Sequence, residues 1–333
     1  MKNKFLFLII LLQTISYGQV VGTPYIALID NRPLLDKIGE NPSFAFSTRK
    51  LRESYTGFAV RIRRSSDNAE ADVAFDLDNI VSDNSSVTIA VAGSSGLAVG
   101  NTLTLASFRN ENSLYVSVWY DQGTNGFDAL QPITSIQPEF SMASAGTINQ
   151  YPSLLFTGLS NPKSVIVNQP MQVLLGNVTD GMGLRGTLGF IAKTTSNSNQ
   201  FSLGYSTGSV RWSSHLNWSD GNCYVDMGDS NDIYRRFSNN TRLNIYKQYL
   251  FIRSNNTKTM RVSSASQGYN VVVNLNSGIS GGAFGIGNSV VTPTASNIGF
   301  SGNIPELILF PEPLTLEKFI VLEYNQISFW GAY

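Results

Sequence analysis

The chain has 333 residues, 23 Lys+Arg against 23 Asp+Glu, and only 14% charged residues. Zero net charge excludes proteins built on a positive field, such as general nucleic-acid or anionic-membrane binders. Hydrophobic residues at 42% suffice for a sizeable core, and a single Cys, Cys223, excludes an internal disulfide.

Lys2 and Lys4 precede an apolar run over 5–12, and Ser16-Tyr17-Gly18 supplies small residues for cleavage before Gln19. This pattern predicts a secretory signal peptide over 1–18. The apolar run is too short to cross about 30 Å of hydrocarbon, and no later stretch is long and apolar enough either. Without a Cys after the run, no lipid anchor is expected. Residues 19–43 carry scattered Pro and Gly and are expected to form an extended lead-in. From 44 to 333 no linker, charge block or low-complexity tract divides the chain, so one domain is expected.

"SYTGFAVRIRRSSDNAEADVAFD" (54–76) concentrates charge in a charge-poor chain. Val60 and Ile62 alternate with Arg61 and Arg63, which puts the arginines on one face of a strand. Asp67, Glu70 and Asp72 follow within ten residues and are placed to neutralise them across a turn at 65–68. Alternating runs continue at 86–93, 113–121, 187–195, 211–219, 244–255, 257–264, 270–275 and 306–310. They are rich in β-branched and aromatic residues and broken by Gly, Asn, Ser and Asp, so antiparallel strands in a two-sheet sandwich are predicted. "TLEKFIVLEYNQISFWG" (315–331) departs from this, with Leu316, Ile320, Tyr324 and Ile327 at helical spacing. A short C-terminal helix is predicted, with Thr315 as cap and Glu317 in its first turn.

Two units carry the candidate binding residues. In "RWSSHLNWSDGNCYVDMGD" (211–229), alternation places Trp212, Ser214, Leu216 and Trp218 on one face and Arg211, Ser213, His215 and Asn217 on the other. Asp220-Gly221 predicts a two-residue type I′ hairpin. One account makes the tryptophan face core and the polar face plain surface. The other makes the polar face, with Tyr224 or Asp226 nearby, a sugar-binding floor, since rings stack on sugars and polar groups take hydroxyls. In "VSVWYDQGTNGFDALQP" (116–132) a strand ends at Trp119-Tyr120, and Asp121 opens a Gly/Asn-rich loop. Asp121 suits hydrogen bonds to loop N–H groups, with Ca²⁺ or a sugar hydroxyl as alternatives. The carbohydrate-binding candidates are thus His215, Trp218, Tyr224, Trp119 and Asp121.

Glycoside hydrolysis needs two carboxyl groups, one kept protonated. Asp226, Asp229, Asp232, Glu306 and Glu323 are available, but spacing pairs none of them. No catalytic residue is assigned, and Asp226 and Glu306 are the carboxylates considered. Cys223 with His215, the sole Cys and His, would be a nucleophile pair only if they met, and a buried thiol is the simpler expectation. They cannot form a zinc site alone. No cofactor and no metal are expected, with structural Ca²⁺ left open.

"FSTRKLRESYTGFAVRIRRSSDNAEADV" (46–73) and "VSVWYDQGTNGFDALQ" (116–131) resemble the N-terminal part of the arabinofuranosidase B catalytic domain. The hairpin "HLNWSDGNCYVDMGD" and the ending "GFSGNIPELILFPEPLTLEKFIVLEYN" are similar to concanavalin A-like, laminin G-like modules of secreted bacterial proteins. The resemblance implies an all-β, concanavalin A-like jelly-roll sandwich that handles carbohydrate. It also marks departures. Of the family's paired cysteines only Cys223 has a counterpart, with Asn222 in the other place. No Glu stands in "SNDIYRRFSNN" (230–240), where the nucleophile would fall, and "GIGNS" puts Asn288 where the acid/base Asp would be. An amide cannot donate a proton as a carboxylic acid does. The expectation is a secreted or cell-surface module that binds polysaccharide or surface glycan, with no nucleic-acid partner and no membrane span. An active α-L-arabinofuranosidase-like hydrolase and a structural adhesion protein are the alternatives.

Overall fold

The alternating runs do pair, antiparallel throughout. The computed structural model describes residues 30–142, 148, 150–157, 162–176, 184–198, 200–205, 211–228, 235–237, 243–271, 282–289 and 299–333. The expected signal peptide over 1–18 lies outside them, as do residues 272–275 of the run expected at 270–275.

Two sheets follow from the ladders. The first runs Ala265–Val271, Thr257–Val262, Tyr246–Ser254, Arg185–Thr194 and Gly302–Phe310. The free side of Gly302–Phe310 pairs with Phe44–Ser47 along one half and Ser153–Phe156 along the other, and Glu139–Ser141 flanks the latter. The second sheet starts with Thr102–Thr104, Ser86–Val91, Glu70–Val73, Val60–Arg64 and Leu114–Trp119. It continues through Ala129–Leu130, Val165–Val167, Phe284–Ile286 and Leu203–Tyr205. Trp212–His215, Cys223–Met227 and Arg236–Phe237 complete it. Among the described residues a single strand pairing, Tyr115 with Glu139, joins the sheets.

The main core lies between them. Phe44 meets Phe284 at 5.1 Å between ring centroids, Phe46 stacks on Trp119 at 5.3 Å, and Phe190 stacks on Tyr249 at 5.0 Å. A second core covers the far face of the first sheet, where Leu250, Ile252, Ile308 and Phe310 meet Leu34, Leu35, Ile38 and Leu322. Leu34, Leu35 and Ile38 belong to a helix, Leu34–Ile38, inside the stretch expected to be an extended lead-in. Its three apolar residues are buried, so docking on the sheet stabilises a segment too short to be helical alone. With both faces covered, every residue of Gly302–Phe310 is buried.

The C-terminal helix spans Leu316–Trp330, as its periodicity predicts, but the stripe used to find it is largely not the buried one. Leu316 and Tyr324 are 63% and 60% exposed. The helix instead buries Leu322, Glu323, Gln326, Ile327 and Trp330. The sheet beneath explains this, because it offers charged and polar partners. Arg261 holds Glu323 at 2.7 Å, and Gln326 bridges Gln248 and Glu306. Thr315 occupies the cap position without a side-chain capping bond.

Glu306 is the centre of this layer and is fully buried. Arg49 grips it as a fork, with Nε 2.7 Å from Oε2 and Nη2 2.9 Å from Oε1. Ser47 Oγ, Gln326 Nε2 and Trp330 Nε1 also donate to it, at 2.9, 3.1 and 3.1 Å. Glu306, considered above for catalysis, is therefore a structural carboxylate whose lone pairs are taken. The arginine-rich stretch is scaffold as well. Arg61 pairs with Asp72 and Arg64 with Asp67 at 2.7 and 2.6 Å, and Arg63 donates to Gln137 at 2.7 Å.

Removing one partner of a buried pair leaves the other unpaired, at a cost of about 3–5 kcal/mol. Glu306→Ala is expected to lose roughly that much in urea denaturation, with near-UV circular dichroism changing at Trp330. A loss below about 1 kcal/mol, the scale of an exposed pair, would contradict the role given to Glu306.

Candidate functional site

The hairpin Trp212–His215/Cys223–Met227 turns one face inward and the other outward. Trp212, Cys223, Val225 and Met227 enter the core. Cross-strand partners Ser213↔Asp226 and His215↔Tyr224, with Arg236 opposite Tyr224 on the next strand, share the outer face. Gly204 lets the neighbouring strand approach. Its φ is +92°, and a Cβ there would stand 2.0 Å from the Trp212 carbonyl oxygen.

Asp226 organises the outer face although it is fully buried. Arg211 Nε and Arg235 Nε lie 2.7 Å from its two oxygens, Arg235 Nη2 donates at 2.8 Å, and Ser213 Oγ donates at 3.1 Å. Burial opposes ionisation, but His215 and the Arg235 and Arg211 guanidinium groups outweigh it and hold the carboxyl below its ordinary range. His215 is also buried. Its Nδ1 lies 3.2 Å from the Gln200 carbonyl, and Arg235 Nη2 lies 3.2 Å from its Nε2. Nε2 also lies 3.6 Å from Asp226 Oδ2, and burial lowers the imidazole pKa against the pull of that carboxylate.

Above these groups is a cavity of about 300 Å³ lined by His215, Trp218, Tyr224, Arg235 and Arg236. Its aromatic wall is tightly set, with His215–Trp218 at 5.0 Å, Trp218–Tyr224 at 5.7 Å and Phe201 edge-on to His215 at 4.9 Å. Arg235 lies 5.2 Å over the Tyr224 ring, and Tyr224 OH donates to Asp220 at 2.7 Å.

Three of the five residues expected to bind carbohydrate thus meet in one pocket: His215, Trp218 and Tyr224. Trp218 reaches it because regular alternation stops at His215. The chain then turns with Trp218 N–H bonded to Asn222 O and Gly221 N–H bonded to Trp218 O. Only Gly221 of the Asp220-Gly221 pair has positive φ, at 81°, so a longer loop replaces the expected type I′ turn. Trp218 leaves the face that its parity assigned to it.

Trp119 and Asp121 do not join the pocket. Trp119 is fully buried against Phe46 and offers no ring face to a ligand. Asp121 is a loop anchor that accepts from the N–H groups of Ala45, Gly123 and Phe127 at 2.8, 2.7 and 3.0 Å. Burial raises its pKa despite those bonds. Asp226 belongs to the site as an ionised support for two arginines, and a carboxyl held ionised is not a general acid. Asp229 and Asp232 lie outside the described residues, and Glu323 is tied to Arg261. Cys223 points into the core, away from His215, and burial pushes its thiol pKa up. Asn288 is also buried. Among the described residues no group of three His, Cys, Asp or Glu side chains is placed to hold a metal ion. None of their helices is long and apolar enough to cross a membrane.

Arg235 and Arg236 were not anticipated in the site. Consecutive arginines alone do not mark them, since Arg63-Arg64 is a second such pair and serves the scaffold.

No protein-family profile matches the sequence, and no curated protein matches it at significant similarity. Solved structures do share its fold. An arabinofuranosidase complexed with arabinofuranosyl-α-1,2-xylobiose is similar at TM-score 0.58 and 14% identity, covering 89% of this chain and 64% of that one. A GH54 α-L-arabinofuranosidase soaked with a cyclic sulfate inhibitor gives 0.56, with the same identity and coverage. The chain therefore has the β-sandwich fold found in these enzymes and spans 64% of their length.

Asp226 stays ionised to lower pH folded than unfolded, so its stabilisation is complete above about pH 4 and fades as pH falls through its lowered folded value. Asp226→Asn is expected to cost about 3–5 kcal/mol at pH 7. The loss should shrink as urea denaturation is repeated down to about pH 3. An equal loss at both pH values would show that Asp226 acts through shape and not through charge.

Proposed function

We propose that this protein is a secreted or surface-exposed carbohydrate-binding module whose ligand sits in the pocket of His215, Trp218, Tyr224, Arg235 and Arg236. The observation that carries this reading is the pocket's composition, an aromatic wall beside fixed polar groups in about 300 Å³, room for one or two sugar rings. Trp218 and Tyr224 supply flat apolar faces for sugar C–H groups, and the guanidinium groups supply donors for ring and hydroxyl oxygens. The leader-like residues 1–18 support export. The shared fold supports a carbohydrate ligand, because its similar structures include an arabinofuranosidase holding an arabinofuranosyl-xylobiose.

Hydrolysis of arabinofuranosides is the second reading, favoured by the fold. It needs a carboxyl that can hold a proton beside the sugar, and the carboxylate behind this pocket is kept ionised by two arginines.

Pull-down on a panel of plant and bacterial polysaccharides is expected to find a ligand. Trp218→Ala or Tyr224→Ala should weaken it about tenfold or more while the unfolding curve keeps its shape. Absence of binding to every polysaccharide would remove the reading. Incubation with an aryl arabinofuranoside is expected to release no aryl alcohol. Release that a single Asp or Glu replacement abolishes would establish the hydrolase instead.

A further inference from the structure

Apart from the Tyr224 hydroxyl, every polar group that the pocket's side chains turn toward a ligand is a donor. Arg235 and Arg236 have only N–H groups, and Nε2 of His215 already faces Arg235. The Tyr224 hydroxyl spends its proton on Asp220, whose carboxylate also accepts from the backbone and side-chain amides of Asn222 at 2.9 Å each. The lining itself contains two cations and no carboxylate. The one carboxylate behind it, Asp226, is shared between Arg211 and Arg235, so a single negative charge faces two guanidinium groups. Arg236 is exposed, shares the sheet face of Tyr224, and has no ion pair or hydrogen bond among the described residues, its electrostatic partner being the Asp220 carboxylate that Tyr224 already bonds. Such a pocket suits a ligand rich in acceptors. A neutral sugar, each hydroxyl of which also brings a proton needing an acceptor, matches it less well.

We propose that the sugar taken by this pocket is acidic, a uronate whose carboxylate pairs with Arg236 while its ring lies against Trp218 and Tyr224. The proposal rests on the carbohydrate-binding reading and adds the ligand's charge. A carboxylate on a guanidinium forms charge-assisted, bidentate hydrogen bonds, which set it apart from an ester of the same shape.

Trigalacturonate and its fully methyl-esterified form differ in charge while keeping the same sugar rings. Titration calorimetry on the full chain should give at least about tenfold tighter binding for the acid, the worth of one charge-assisted bond. That preference should shrink as salt is raised, and Arg236→Gln should bring the ratio of the two affinities near one. If both forms bind alike and Trp218→Ala weakens both, the charge inference is overturned and the carbohydrate site stands. If neither binds while a neutral polysaccharide from the panel does, the inference again falls alone. If nothing in either set binds, both fall.

Discussion

The fold depends on a carboxylate that water never reaches. Glu306 sits on a nine-residue strand buried at every position, and its oxygens collect donors from two distant parts of the chain. Ser47 and Arg49 come from the N-terminal strand and its exit, and Gln326 and Trp330 from the closing helix. Burying that charge carries a desolvation cost of several kcal/mol, which only good geometry and complete hydrogen bonding offset. The Arg49 fork and three further donors supply both, and Arg49 is itself roofed by Phe329 at 4.1 Å. Removing any one member leaves an unpaired group, so the interaction fixes where the helix docks more than it adds net stability.

Asp226 repeats the device in the second sheet. There the arginines come from beside the hairpin, and the pocket is the result. Arg235 is pulled between Asp226, His215 and the Tyr224 ring, which fixes all three around one cavity. The imidazole, packed between Phe201 and Trp218, stays neutral and acts as a shaped wall. The pocket's rigidity thus comes from electrostatics beneath it, and its ligand-facing groups are those left over once the buried charge is satisfied.

The sheets were legible because alternation has an unambiguous cause: one face meets the core and the other does not. Val60, Ile62, Trp212 and Val225 obey it, and Arg61, bonded to Asp72, falls on the opposite face of its strand by the same rule. The sequence misled where polar groups are buried in pairs. The helix is predicted through Leu316, Ile320, Tyr324 and Ile327, of which Ile327 alone is buried, yet its buried face is chosen by Glu323 and Gln326, whose partners Arg261 and Gln248 are more than 60 residues away. Glu306 looked like a free carboxylate because nothing local announces Arg49. Trp119 looked like a ligand platform because an aromatic at a strand end suits a core and a surface equally. In the site, His215 and Tyr224 were visible as the polar face of a hairpin. Trp218 was visible too but assigned to the wrong face, since parity fails once a strand becomes a turn.

A crystal structure with a bound oligosaccharide, chosen from whichever glycan the panel retains, tests the central claim most directly. The account predicts a sugar ring against Trp218 and Tyr224, with an oxygen of the ligand within hydrogen-bond distance of Arg235 or Arg236. A ligand bound anywhere else on the sandwich, with this pocket holding only water, would contradict it.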